Sequence, residues 1–103
     1  MNHMAVVVQA ADNVATAVAD LSAGDKVSFF VGRDERECQL LEDIPRGHKF
    51  AIRDIAAGDN VIKYGEAIGA ATAAIGAGRR AHVHNVESRR GRGDIYEGDA
   101  NEN

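Results

Sequence analysis

Over residues 78–85 the chain runs Gly-Arg-Arg-Ala-His-Val-His-Asn, which sets two imidazoles two residues apart. In an extended strand alternate side chains share a face, so this spacing predicts His82 and His84 together, with Val83 opposite. Paired neutral imidazoles suit zinc, iron, manganese or nickel, and Asn85 adds an amide at the rim. The same spacing equally describes two half-exposed strand histidines, because the stretch lacks the further ligands that a four-coordinate site needs.

Other groups could take part in chemistry. Lys63, Tyr64 and Glu66 surround Gly65, where a turn would aim a cation, a phenol and a carboxylate at a bound acid; a plain polar turn fits too. Arg79 and Arg80 offer guanidinium forks for a carboxylate, or a surface for a partner. His48, with an ordinary pKa near ~6.5, is a candidate proton shuttle or a hydrogen-bonded strand-edge histidine. Cys38 lies in the polar run Arg-Asp-Glu-Arg-Glu-Cys-Gln and reads as a strand residue rather than a nucleophile. His3 stands at the start of the chain and is incidental.

The elements that would position these groups follow from size and punctuation. A chain of 103 residues makes one domain with little room for a deep two-walled site. Trp is absent and Tyr and Phe number 2 and 3, so the core is expected to be thin and built of Ala, Val and Ile. A net charge of −4 and the lack of an aromatic platform argue against nucleic acid. One cysteine excludes an internal disulfide and fits a reducing, cytoplasmic setting. No apolar run approaches the ~20 residues that would cross a bilayer, so no membrane is expected.

Asp20-Leu-Ser-Ala-Gly-Asp-Lys-Val27 and Asp54-Ile-Ala-Ala-Gly-Asp-Asn-Val61 repeat one pattern, and Ala74-Ile-Gly-Ala-Gly-Arg-Arg-Ala81 carries its centre again. Each copy predicts an aliphatic anchor, a glycine turn and a strand beginning just after it. Strands are expected over 4–9, 26–31, 36–41, 48–52, 61–64, 67–72 and 80–84, with a turn at Pro45, Arg46 and Gly47. Asp12 would cap a short helix over 13–19, with Val14 and Val18 on one face. Residues 1–88 then form the domain and 89–103 a polar tail that docks on a partner or stays disordered.

The stretch Gly-His-Lys-Phe-Ala-Ile-Arg-Asp-Ile-Ala-Ala-Gly-Asp-Asn-Val-Ile-Lys-Tyr-Gly-Glu-Ala-Ile-Gly, with Ala-His-Val-His-Asn-Val-Glu-Ser-Arg-Arg-Gly-Arg-Gly-Asp after it, resembles the SAF-type domain of altronate and galactarate dehydratases. It is similar also to the small subunit of sulfolactate sulfo-lyase. The resemblance spans most of residues 4–94 and implies a mostly β, β-clip (SAF-like) fold with at most one or two short helices. It further implies a small subunit of a hydro-lyase, inactive alone, beside a large catalytic subunit that dehydrates a sugar acid to a 2-keto-3-deoxy acid. Iron(II) or manganese(II) is the implied metal. The family's paired histidines map onto His82 and His84, and its Gly-His-Lys histidine onto His48. Under this reading His48, Lys63 and Tyr64 serve catalysis, while Arg79, Arg80, Glu66 and Asn85 meet the substrate. Arg89, Arg90, Arg92 and Asp94 form a docking tail, and the isolated chain has surface to self-associate. A sulfo-lyase subunit and a noncatalytic sugar-acid-binding or assembly module are the alternatives.

Overall fold

A computed structural model describes residues 4–88, which form nine short strands and no helix. These are β1 (Ala5–Val6), β2 (Val14–Ala17), β3 (Lys26–Val31), β4 (Asp34–Gln39), β5 (Lys49–Ala51), β6 (Asn60–Lys63), β7 (Glu66–Ala71), β8 (Arg80–Ala81) and β9 (Val86–Ser88). Every pairing is antiparallel: a central sheet in the order β1-β2-β5-β8, a β3-β4 hairpin, and a β6-β7-β9 sheet. The mostly β architecture is the one expected.

The glycine turns organise everything else, and there are four copies rather than three. Gly24, Gly47, Gly58 and Gly78 have φ of 92°, 84°, 89° and 90°, a region that glycine adopts without a Cβ penalty. After each, the next amide donates 3.0 Å back to the carbonyl three residues earlier, as from Asp25 to Ser22 and from His48 to Pro45. The added copy, second in chain order, is Asp43-Ile-Pro-Arg-Gly-His48, in which Pro45, Arg46 and His48 stand where the copies at 20–27 and 54–61 carry Ser or Ala, Ala and Asp.

The turns work in reciprocal pairs. Gly24 donates its amide to Leu40 at 2.8 Å, and Gly47 donates to Ala17 at 2.9 Å, so each turn closes on the strand end that leads into the other. Gly58 and Gly78 repeat this with Ala71 and Ala51 at 2.7 and 2.8 Å. Isolated bridges join Leu21 to Ile44 and Ile55 to Ile75 at the centre of each pair. Carboxylates tie the corners: Asp20 accepts from the Arg46 amide, Asp43 from Ala23 and Asp54 from Ala77, all at 2.9 Å. Ala74 stands where a fourth carboxylate would be.

Two cores follow from the two clasps. Leu21, Ile44, Val27, Phe29, Leu40 and Phe50 anchor the first, with Phe29 and Phe50 in an edge-to-face contact at 6.4 Å. Val14, Ile55, Val61, Ala71, Ile75 and Ala81 make the second. The central sheet divides them, since Ala15 and Phe50 face the first core while Val14 and Ala51 face the second. Burial on both faces of β2 explains why small side chains dominate there.

That same burial overturns the helix expected over 13–19. Val14, Ala15 and Ala17 are buried in an extended strand, and Val18 lies 43% exposed beyond it. The Val14–Val18 spacing that suggested a helical face is a coincidence of a strand packed on both sides. The first strand is likewise shorter than 4–9. Cys38 is a core residue opposite Val27 on β4, and burial pushes its thiol pKa up, as its strand reading requires. His3 and the tail beyond residue 88 lie outside the described residues. No helix among the described residues is long and apolar enough to cross a membrane.

The clasp separates two costs of a side chain at a turn glycine. A Cβ at Gly24 meets nothing within 4 Å, whereas one at Gly78 would strike the Gln39 carbonyl. Gly24→Ala should therefore cost about 1–3 kcal/mol of backbone strain. Gly78→Ala should cost clearly more, read from paired urea unfolding curves.

Candidate functional site

His82 does not continue a strand. β8 ends at Ala81, and the Asn85 and Val86 amides both donate to the His82 carbonyl, at 2.9 and 2.8 Å. The Asn85 side chain locks this turn, accepting from the His82 amide and donating to the Arg80 carbonyl, both at 2.8 Å. The expected strand over 80–84 is thus cut short, because a local Asx-type bond outcompetes the sheet ladder. The alternation that would have put His82 and His84 on one face does not apply. His82 instead meets His48, which enters β5 from the second turn, with ring centroids 4.8 Å apart.

The opposite wall is the β6-β7 hairpin. Its two-residue turn places Tyr64 and Gly65 at φ of 58° and 74°, the paired positive values of a tight I′-type hairpin. Asp12, 1% exposed, holds that turn in place of capping a helix. Its carboxylate accepts from the Tyr64 and Gly65 amides at 3.1 and 2.8 Å and from Gln9 at 3.2 Å. Asn13 pins the strand below, donating to the Asn60 carbonyl and accepting from the Ile62 amide. The β6-β7 register shifts between Val61 and Ile62, which leaves Ile68 as the extra residue of a bulge. β9 approaches β7 closely at Gly69, where a Cβ would lie 2.5 Å from the Glu87 carbonyl.

These elements enclose an open cleft of about 340 Å³ lined by Lys49, Lys63, Tyr64, Ile68, His82, Val83 and Val86. Burial, then the charge of Lys63, lowers the Lys49 pKa. Burial also lowers the His82 pKa, and the nearby His48, Arg80, Lys49 and His84 push it further down. The Lys63 ammonium sits 4.7 Å from the Tyr64 ring centroid. His48 Nδ1 is buried without a hydrogen-bond partner. The cleft is therefore positive in potential, with an apolar wall.

The sequence-derived candidates divide accordingly. Lys63, Tyr64 and His82 line the cleft, and His48 stacks at its edge. Glu66 pairs with Lys63 in register at the hairpin, and exposed Arg79 belongs to the fourth turn; neither lines the cleft. Arg80 pairs with Phe50 on β8, its amide donating to Glu42 at 3.0 Å. Both ends of the Asn85 amide are engaged within the turn. His84 is exposed beside it. Lys49 and Ile68 were not singled out by sequence; Lys49 stands in the Gly-His-Lys run, where the neighbouring His48 drew attention.

Among the described residues no three His, Cys, Asp or Glu side chains converge on one point. A divalent ion beside the His48–His82 pair would have two imidazoles, cationic neighbours and no carboxylate lining the cleft. Iron(II) and manganese(II) favour sites with oxygen donors and compensating negative charge. These residues alone do not fit such an ion.

Residues 3–89 match the family described as the altronate/galactarate dehydratase SAF domain, and the chain belongs to that family. It is similar to altronate dehydratase of Escherichia coli strain K12, 51% identical over 81 residues, which are 79% of this chain but 16% of that protein. It is also similar to (2R)-sulfolactate sulfo-lyase subunit alpha of Chromohalobacter salexigens, 40% identical over 88 residues, covering 82% of this chain and 94% of that subunit. A galactarate dehydratase (L-threo-forming) of E. coli is 44% identical over 66 residues, 62% of this chain and 11% of that protein. The chain thus spans about a sixth of the altronate dehydratase it matches and nearly all of the sulfo-lyase subunit. Its relatives are lyases.

Two measurements test the site's construction. Asp12→Ala leaves three part-buried amide donors without this acceptor and should cost about 1–3 kcal/mol in chemical unfolding. The lowered Lys49 pKa means that its amine deprotonates early as pH rises. The pH midpoint for labelling Lys49 with an amine-specific reagent, followed by mass spectrometry, should fall below that of free lysine.

Proposed function

We propose that this chain is the small, accessory part of a lyase that removes water from a sugar acid of the altronate type, acting with a larger catalytic chain. The observation that carries the reading is the pair of matches: strong similarity to a small portion of altronate dehydratase, and nearly end-to-end similarity to a separate sulfo-lyase subunit. Dehydration of a 2,3-diol acid requires loss of the proton beside the carboxylate and departure of hydroxide, giving a 2-keto-3-deoxy acid. Positive potential stabilises the enediolate charge that develops on the way. Lys63 and Tyr64 would supply part of that field and a phenol at the cleft. His48 and His82, in ring contact, would move a proton between substrate and solvent.

The iron(II) or manganese(II) implied by the resemblance is assigned to the larger chain in this proposal, since the described residues do not fit it alone. Exposed Arg79 and Glu66, with half-buried Arg80 beside them, would serve as contacts for that chain or for substrate entry. A cytoplasmic setting accords with the reading. A sulfo-lyase role is the second reading, favoured by the 94% coverage of the subunit alpha relative; it would release sulfite rather than water.

Reconstitution with a candidate large chain tests the proposal. Loss of altronate and formation of 2-keto-3-deoxy acid should need both chains and should collapse in a His82→Ala/His84→Ala variant that still assembles. Metal analysis of that variant should show the metal retained. Full activity without this chain, or turnover by this chain alone, would remove the reading, and sulfite release from sulfolactate would replace it with the second.

A further inference from the structure

We propose that Lys49 and Lys63 together form a carboxylate clamp, so that this small chain by itself binds a hydroxy acid in the cleft. Lys49 is the new residue here, and it is placed by β5 rather than by the hairpin. On β5 it lies opposite Thr16 on one side and Ala81 on the other, and its side chain lines the cleft together with His82. Lys63 approaches from the end of β6 across the cleft. Two ammonium groups held at one opening repel each other, and a bound anion relieves that repulsion.

The absence of acidic residues among the cleft-lining side chains sharpens the inference. Glu66 stands opposite Lys63 at the hairpin, but it lies outside the cleft lining, and the walls that face the two lysines inside the cleft are apolar, from Ile68, Val83 and Val86. An apolar wall facing two ammonium groups matches a small organic acid, whose carbon chain lies on the wall while the carboxylate takes the charge. Tyr64 adds a hydroxyl at the rim for a polyol chain. Bare phosphate would leave the apolar wall unmatched, and no arginine fork lines the cleft. Val83, 83% exposed, extends that apolar wall at the opening of the cleft. The choice of a hydroxy acid rests on the lyase reading, but the existence of an anion site does not.

The test is a titration of the isolated, isotope-labelled chain, followed by amide NMR. Sodium gluconate is the probe, sorbitol the uncharged counterpart, and sodium sulfate the inorganic anion. Gluconate should shift the amides of Lys49, Lys63, Tyr64, His82 and Val83 saturably, with sorbitol leaving them in place and sulfate binding more weakly. Lys49→Met and Lys63→Met should each weaken gluconate binding about tenfold, the loss of one charge-assisted hydrogen bond. Lys26→Met, at an exposed position that opens β3, should not. Lys49→Met should also keep its fold with an unchanged or raised Tm, because it removes a partly buried charge.

Equal shifts from gluconate and sorbitol would overturn the clamp. Sulfate binding as tightly as gluconate would overturn the hydroxy-acid class. Manganese(II) broadening resonances at His48 and His82 without added acid would replace the clamp with a metal site. Saturable gluconate binding by a chain that fails to support altronate loss with any large chain would keep the clamp and remove the lyase reading; activity in the assembled enzyme without binding by the free chain would do the reverse.

Discussion

Each glycine turn in this chain closes on the strand end that leads into another turn, and that reciprocity is the constraint on which the rest depends. A turn alone leaves its glycine amide without a partner, and a strand end alone leaves its carbonyl unpaired. Together they satisfy backbone groups that would otherwise be costly to bury. Because Leu21 meets Ile44 and Ile55 meets Ile75 inside each clasp, the hydrogen bonds and the apolar anchors form at the same place. The two cores are what the clasps enclose, and the central sheet is what holds the clasps together.

The cleft is a product of the same frame. His48 follows the glycine of one turn and His82 comes just after another, so closing the clasps brings two remote imidazoles into contact. Asp12 and Asn13 then reach from the strand preceding the first clasp to fix the hairpin of the second. The positive potential of the site is thus assembled from β5, β6, β8 and the turn after it, with no single segment carrying it. The cleft is accordingly open and made from several segments rather than a deep pocket within one of them.

Much of the frame was legible because turn chemistry is local. The Asp-aliphatic-x-x-Gly pattern stands in full at residues 20–24, 43–47 and 54–58 and in part at 74–78; the copy at 43–47 read only as a Pro-Arg-Gly turn, and the strands after the turns followed. Where reading failed, a nonlocal neighbour decided the matter. Val14 and Val18 matched a helical spacing, but packing on both faces of β2 required an extended chain. His82 and His84 matched a strand spacing, but Asn85, three residues after His82, folds its amide back over the backbone; an asparagine at that offset is a turn signal that the sequence did carry. Lys49 gave no local sign, since its environment is made by Lys63 and His82 from other strands. Lys63, Tyr64 and His48 were found because they flank glycine turns, where the chain exposes its side chains.

The two clasps are built by one rule yet enclose unlike hairpins. The first, β3-β4, is a long, regular ladder of a largely apolar strand on a charged one, ending in a Gly32-Arg33 turn, and the second carries the bulge, the strained Tyr64 and one wall of the cleft. Since closure is made by the turns alone, it is indifferent to what is threaded between them. The frame therefore acts as a duplicated socket: one copy is free to keep a plain hairpin, while the other can lengthen, bulge or change its side chains, altering what the molecule recognises without asking the scaffold to be reinvented. The missing fourth carboxylate at Ala74 lies in this second copy, so the half that forms the hairpin wall of the cleft is also the half with one tether fewer.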